Sequence, residues 1–80
     1  MKLPKLKFTL GTEVKDFRRK IHMNQSDFWS RVGTTQSGGS RYESGRDIPE
    51  PVQILLNMTY GPDGHAQKVM DALRTWKQKR

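Results

Sequence analysis

NQSDFWSRVGTTQSGGSRYESG, residues 24–45, is the stretch from which the fold is read. Residues 25–32 carry apolar side chains at Phe28, Trp29 and Val32, spaced to line one face of a short helix, and Asn24 stands before them as a cap. Gly33 follows the last periodic residue and permits the left-handed backbone in which a helix stops without strain. Thr34 and Thr35 then offer hydroxyl caps to a second segment, residues 36–44, and Gly45 closes it in the same way. Two short helices joined by a tight turn make a helix-turn-helix.

On the N-terminal side, Thr12 is placed to cap a helix over residues 13–22, with Val14, Phe17 and Ile21 as its inner stripe. Arg19 and Lys20 fall on the outer face, whereas Arg18 borders the stripe and requires a partner if it is even partly buried. Residues 1–11 interleave Lys2, Lys5 and Lys7 with Leu3, Leu6, Phe8 and Leu10, and Pro4 prevents a regular helix start. This basic N-terminal arm reads first as a packed tail whose Phe8 and Leu10 cover the core, and second as a set of lysines for an anionic partner.

On the C-terminal side, residues 46–49 form a loop and Pro51 suits the first turn of a fourth helix. Val52, Ile54, Leu55, Leu56, Met58 and Tyr60 make it the most apolar segment, expected to be the main core element beneath the motif. After a turn at residues 61–64, Ala66, Val69, Met70, Leu73 and Trp76 recur at helical spacing, with Lys68, Arg74 and Lys77 off the stripe. That last helix, within residues 64–78, either caps the monomer core or forms a dimer interface. Residues 12–80 are thus expected to be one all-α domain of five helices.

Eighty residues bury only a limited core, so marginal stability or dimerisation is expected. The net charge of +7 on so small a surface favours an anionic partner, with double-stranded DNA first. Cysteine is absent and His22 and His65 are too few for a zinc site, so no metal, cofactor or small-molecule ligand is called for. No apolar run reaches a membrane span of about 18 residues, and the lysines of MKLPKLKFTL argue against a signal peptide. The expected setting is cytoplasmic, in association with the nucleoid. An enzyme is not expected, since no nucleophile and base constellation, paired carboxylates or phosphate-cradling glycine loop is present.

Over residues 14–61 the chain resembles the lambda-repressor-like family of Cro and phage repressors, with Xre-type regulators and antitoxins. Gln25, Gly33, Glu43, Gly45 and Pro49 stand where that family has its first-helix Gln, turn Gly and closing E-x-G-x-x-x-P, and Ser40, Arg41, Tyr42 and Glu43 resemble the SRYE of antitoxins. The resemblance implies a five-helix DNA-binding domain, most simply a transcriptional repressor acting as a homodimer on a palindromic operator. An antitoxin that also binds a protein partner is the alternative. It also implies an ion pair between Arg18 and Glu43, which the placement of both residues favours independently.

With the second helix of the motif in the major groove, Gln36, Ser37, Ser40 and Arg41 share the face that reaches base edges. Asn24, Gln25, Thr35 and Arg46 are the expected phosphate contacts. Two places depart from the family pattern, which usually has Ala in the middle of the first motif helix and a branched aliphatic in the middle of the second. Here they hold Trp29 and Gly39. Trp alone would overpack the site and Gly alone would leave a cavity, so the two read as a compensated pair sharing one volume.

Overall fold

Each motif helix closes on a backbone pattern set by one residue in left-handed conformation. At the end of the first, Gly33 (φ 72) donates its N–H to Ser30 O at 3.0 Å and Thr34 donates to Trp29 O at 3.0 Å, the paired bonds of a Schellman motif. At the end of the second, Gly45 (φ 118) donates to Tyr42 O at 3.1 Å and Arg46 to Arg41 O at 3.0 Å. The same pattern ends the preceding helix with His22 (φ 60) in the glycine position, donating to Arg19 O at 3.1 Å.

The computed structural model describes residues 3–75. Among them are five helices and no strand: α1 Gly11–Lys20, α2 Gln25–Ser30, α3 Gln36–Glu43, α4 Glu50–Tyr60 and α5 Asp63–Arg74. The all-α architecture agrees with the expectation. Lys2 of the arm, and Trp76 and Lys77 of the expected fifth helix, lie outside the described residues.

Helix boundaries differ from expectation for local reasons. α1 starts at Gly11, so Thr12 lies inside it and is not its cap. Leu10 holds the cap position without an oxygen to offer; instead Glu13 Oε1 accepts the Leu10 N–H at 3.2 Å, the reverse half of a capping box. Because α1 ends at Lys20 and the chain turns at His22, Ile21 leaves the expected stripe and is 38% exposed. α2 ends at Ser30, yet Val32 in the following turn still reaches the core.

The core consists of Val14, Phe28, Trp29, Val32, Ile48 and Leu56. α2 supplies its two largest members, so the centre of packing lies within the motif and not in α4. Of the apolar residues expected to make α4 the main core element, Leu56 is buried, Val52, Ile54, Met58 and Tyr60 are half-buried, and Leu55 is exposed. Ile48, from the loop before α4, contributes instead. The Tyr60 ring stacks on Phe28 with centroids 4.1 Å apart, and its hydroxyl donates to Phe28 O at 2.6 Å, which fastens α4 to α2. α5 packs on α4 with Val69 and Ala72 buried.

The arm is docked. Phe8, itself in left-handed backbone (φ 53), sets its ring edge-on to Phe17 with centroids 4.9 Å apart. Leu10, expected beside it over the core, is 60% exposed. The fully buried Asn57 of α4 accepts the Lys7 N–H at 2.7 Å and donates to Lys7 O at 2.7 Å and Gln53 O at 2.8 Å. One side-chain amide thus pairs both backbone groups of a single residue.

Asn57→Leu retains volume but leaves both Lys7 groups without their partner. It is expected to cost about 1–3 kcal/mol in urea unfolding and to remove the hydrogen-exchange protection of the Lys7 amide. A Lys7 amide that exchanges at the wild-type rate in this variant would show that the arm is held by Phe8 alone.

Candidate nucleic-acid interface

One carboxylate joins the three helices around the motif. Glu43, at the end of α3 and 5% exposed, accepts from Arg18 Nε at 2.8 Å and Nη2 at 2.9 Å, from Trp29 Nε1 at 2.8 Å and from Gln25 Nε2 at 3.2 Å. The same guanidinium donates through Nη1 to Met23 O at 2.9 Å, tying in the link between α1 and α2. Burial pushes the Glu43 carboxyl up, but the hydrogen bonds from Arg18, then Trp29 and Gln25, outweigh it and hold the group below its ordinary value. Arg18 is raised in turn, chiefly through its bond to Glu43.

Gly39 of α3 faces Trp29 of α2. A Cβ built on Gly39 would fall on the indole ring, so the ring occupies the space that a side chain there would need. Both residues are buried. Volume is not the whole role of the tryptophan, because its N–H bond to Glu43 spans α2 and α3. Thr35 caps α3, its Oγ1 accepting the Gly38 N–H at 3.1 Å. A Cβ on Gly38 would crowd Thr34 Cγ2 at 3.1 Å, so this glycine lets the turn pack closely on α3.

Gln36, Ser37, Ser40 and Arg41 line one shallow cleft together with Gln25. Gln36, Ser37 and Arg41 are exposed and Ser40 is half-buried. The expected phosphate contacts fare differently. Thr35 keeps its hydroxyl proton free to donate while its oxygen serves as cap. Asn24 is committed to its own helix: Oδ1 accepts the Asp27 N–H at 2.8 Å and Nδ2 donates to Asp27 Oδ2 at 3.1 Å, which sets a carboxylate beside it. Its second Nδ2 hydrogen remains free, beside that carboxylate. Gln25 is divided, with one amide hydrogen on Glu43 and the rest of the group at the cleft. Arg46 is exposed but lines a different hollow, beside Thr9, Thr12 and Asp47, and is not brought to the cleft of the readers.

Residues 15–59 match the family model of the RsaL-like HTH domain, more than half of the chain. The chain belongs to the RsaL-like HTH family. Its matched region runs from α1 to the end of α4 and holds the motif, the Glu43 network and the cleft. The fold is therefore that of a helix-turn-helix DNA-binding domain. No curated protein and no solved structure gives a significant match. Among the described residues no helix is long and apolar enough to cross a membrane.

The Glu43 network makes the RsaL-like domain sensitive to acid in a defined direction. A carboxyl held lower in the folded than in the unfolded state adds stability that is complete above the unfolded value and lost as pH falls through the folded one. Wild-type stability in urea is expected to decline on acidification below about pH 5 more steeply than that of Glu43→Gln. At neutral pH that variant costs about 3 kcal/mol, because Arg18 is left as an uncompensated, largely buried charge. Parallel pH profiles for the two proteins would show that Glu43 does not carry this effect.

Proposed function

We propose that this RsaL-like HTH domain is a non-enzymatic transcriptional regulator, a repressor that reads a palindromic operator as a homodimer with α3 in the major groove. The observation that carries the reading is the convergence of Gln36, Ser37, Ser40 and Arg41 on one cleft of the capped helix α3. A Gln amide can donate through its nitrogen to N7 of adenine and accept through its oxygen from the N6 amine, whereas Arg forks onto O6 and N7 of guanine. These two side chains supply discrimination. Thr35 and the Gln25 amide flank them and hold the backbone in register, while the net charge of +7 adds a salt-dependent attraction to any DNA.

Among helix-turn-helix proteins, kinship with the lambda-repressor and Xre types is supported by Gln25, Gly33, Glu43, Gly45 and Pro49. The roles these residues play in the chain fit that kinship, since Gly33 and Gly45 end the motif helices and Gln25 bonds Glu43.

Gln36→Ala and Arg41→Ala are each expected to weaken operator binding by about 1–3 kcal/mol and to leave binding to random DNA nearly unchanged. The ratio of the two affinities, measured at one salt concentration, is the quantity to follow. A wild-type ratio in both variants would mean that α3 does not face the bases.

Dimerisation must use side chains that the monomer leaves free. Val69, on the expected interface stripe of α5, is fully buried within the chain and so is not available to a partner, whereas Leu73 is 38% exposed and Met70 half-buried. Leu73→Glu is expected to lower association in sedimentation and, with it, operator affinity. Unchanged sedimentation and affinity would exclude this face of α5.

A further inference from the structure

α4 and α5 are joined by Gly61 and Pro62 alone and pack on each other, so the pair presents two flanks. One flank belongs to the arm. Asn57 of α4 holds both backbone groups of Lys7, and His65 and Lys68 of α5 line the hollow beside residues 4–9. The other flank is apolar and open. At about 100° per residue, Leu55 stands nearly opposite Asn57 on α4, and Met70 and Leu73 stand nearly opposite Lys68 on α5. Leu55 is 43% exposed and Leu73 38%, with Met58 and Met70 half-buried. Apolar side chains gathered on one side of a packed helix pair mark a docking surface, as single scattered ones do not.

The charges of α5 indicate what docks there. Asp63 stands in its first turn and Arg74 in its last, at the two ends of the row that Ala66, Met70 and Leu73 make along the helix. A second α5 laid antiparallel along that row sets each Asp63 against the partner's Arg74, whereas a parallel one brings like charges together. A helix with opposite charges at its ends and an apolar row between them is thus complementary to its own copy under a two-fold axis.

We propose that the flank of Leu55, Met58, Met70 and Leu73 is a seam between two copies of this chain, with α5 antiparallel to its counterpart and Asp63 paired with the partner's Arg74. This inference rests on the homodimer of the reading above and specifies its geometry. The cleft of Gln25, Gln36, Ser37, Ser40 and Arg41 shares no residue with the seam, so pairing does not consume the readers.

The test is sedimentation of the full-length chain and its variants, each checked for wild-type helix content by circular dichroism. Asp63→Arg and Arg74→Asp are each expected to weaken self-association by about tenfold or more, since both ends of the seam then bring like charges together. The double variant is expected to regain most of the wild-type association, because the pairs re-form with their signs exchanged. An effect confined to one helix runs the other way, since both substitutions oppose the helix dipole and their costs accumulate in the double variant. Leu55→Glu is expected to weaken association as well, and Lys68→Glu, exposed on the arm flank, to leave it unchanged. If the wild type self-associates but Leu55→Glu has no effect, or the double variant falls below both single ones, the seam is overturned and the homodimer stands on another face. A wild type that sediments as a monomer at every concentration overturns both.

Discussion

The buried carboxylate of Glu43 is the constraint on which the arrangement of the helices depends. A lone carboxylate removed from water would be strongly unfavourable, so its position is tolerable only where donors converge on it. Those donors come from α1 (Arg18) and from α2 (Gln25 and Trp29). Rotating or sliding α3 against either helix would break charge-assisted bonds, which are among the strongest and most directional that side chains make. The network therefore fixes the rotation of α3, and with it the direction in which Gln36, Ser37, Ser40 and Arg41 project. α3 needs such support, being eight residues long and containing adjacent glycines. A helix of that length and composition has little stability of its own.

Asn57 acts in the same manner on a smaller scale. The arm has no strand to pair with among the described residues, yet the Lys7 N–H and C=O are both satisfied by one amide projecting from α4. Phe8 adopts left-handed backbone, which side chains of its size rarely do, and places its ring in the aromatic group of Phe17, Phe28 and Tyr60. Local strain is offset by burial and hydrogen bonding from elements distant in the chain.

Much of this was legible in the sequence, and the pattern of success and failure is physical. Caps and stops are local chemistry: Asn24, Thr35, Gly33 and Gly45 do at their positions what their residue types allow, and the helices of the motif could be bounded from them. The volume shared by Trp29 and Gly39 could be inferred because each is wrong without the other. Burial in α4 could not, since apolar content does not say which face a partner will cover; α5 covers part of it and leaves Leu55 to solvent. The buried Asn57 has a signal in the sequence, a lone amide between Leu56 and Met58, but nothing local names Lys7 as its partner. Asn24 and Gln25 look alike as polar residues at a helix start, but one turns back on Asp27 and the other reaches Glu43 far along the chain. Periodicity contains neither fact.

The contact between Trp29 and Gly39 also restricts the order in which such a pair can arise. From an alanine facing a branched aliphatic residue, enlarging the alanine first would drive an indole into occupied space and force the two motif helices apart. Shrinking the aliphatic residue first leaves a void, a loss of about 1–4 kcal/mol that a folded domain can survive. The indole then fills the void and its N–H finds the Glu43 carboxylate already in place. With both in place the pair is asymmetric: Gly39 cannot enlarge while the indole is present, whereas Trp29 can be lost only by reopening the same void.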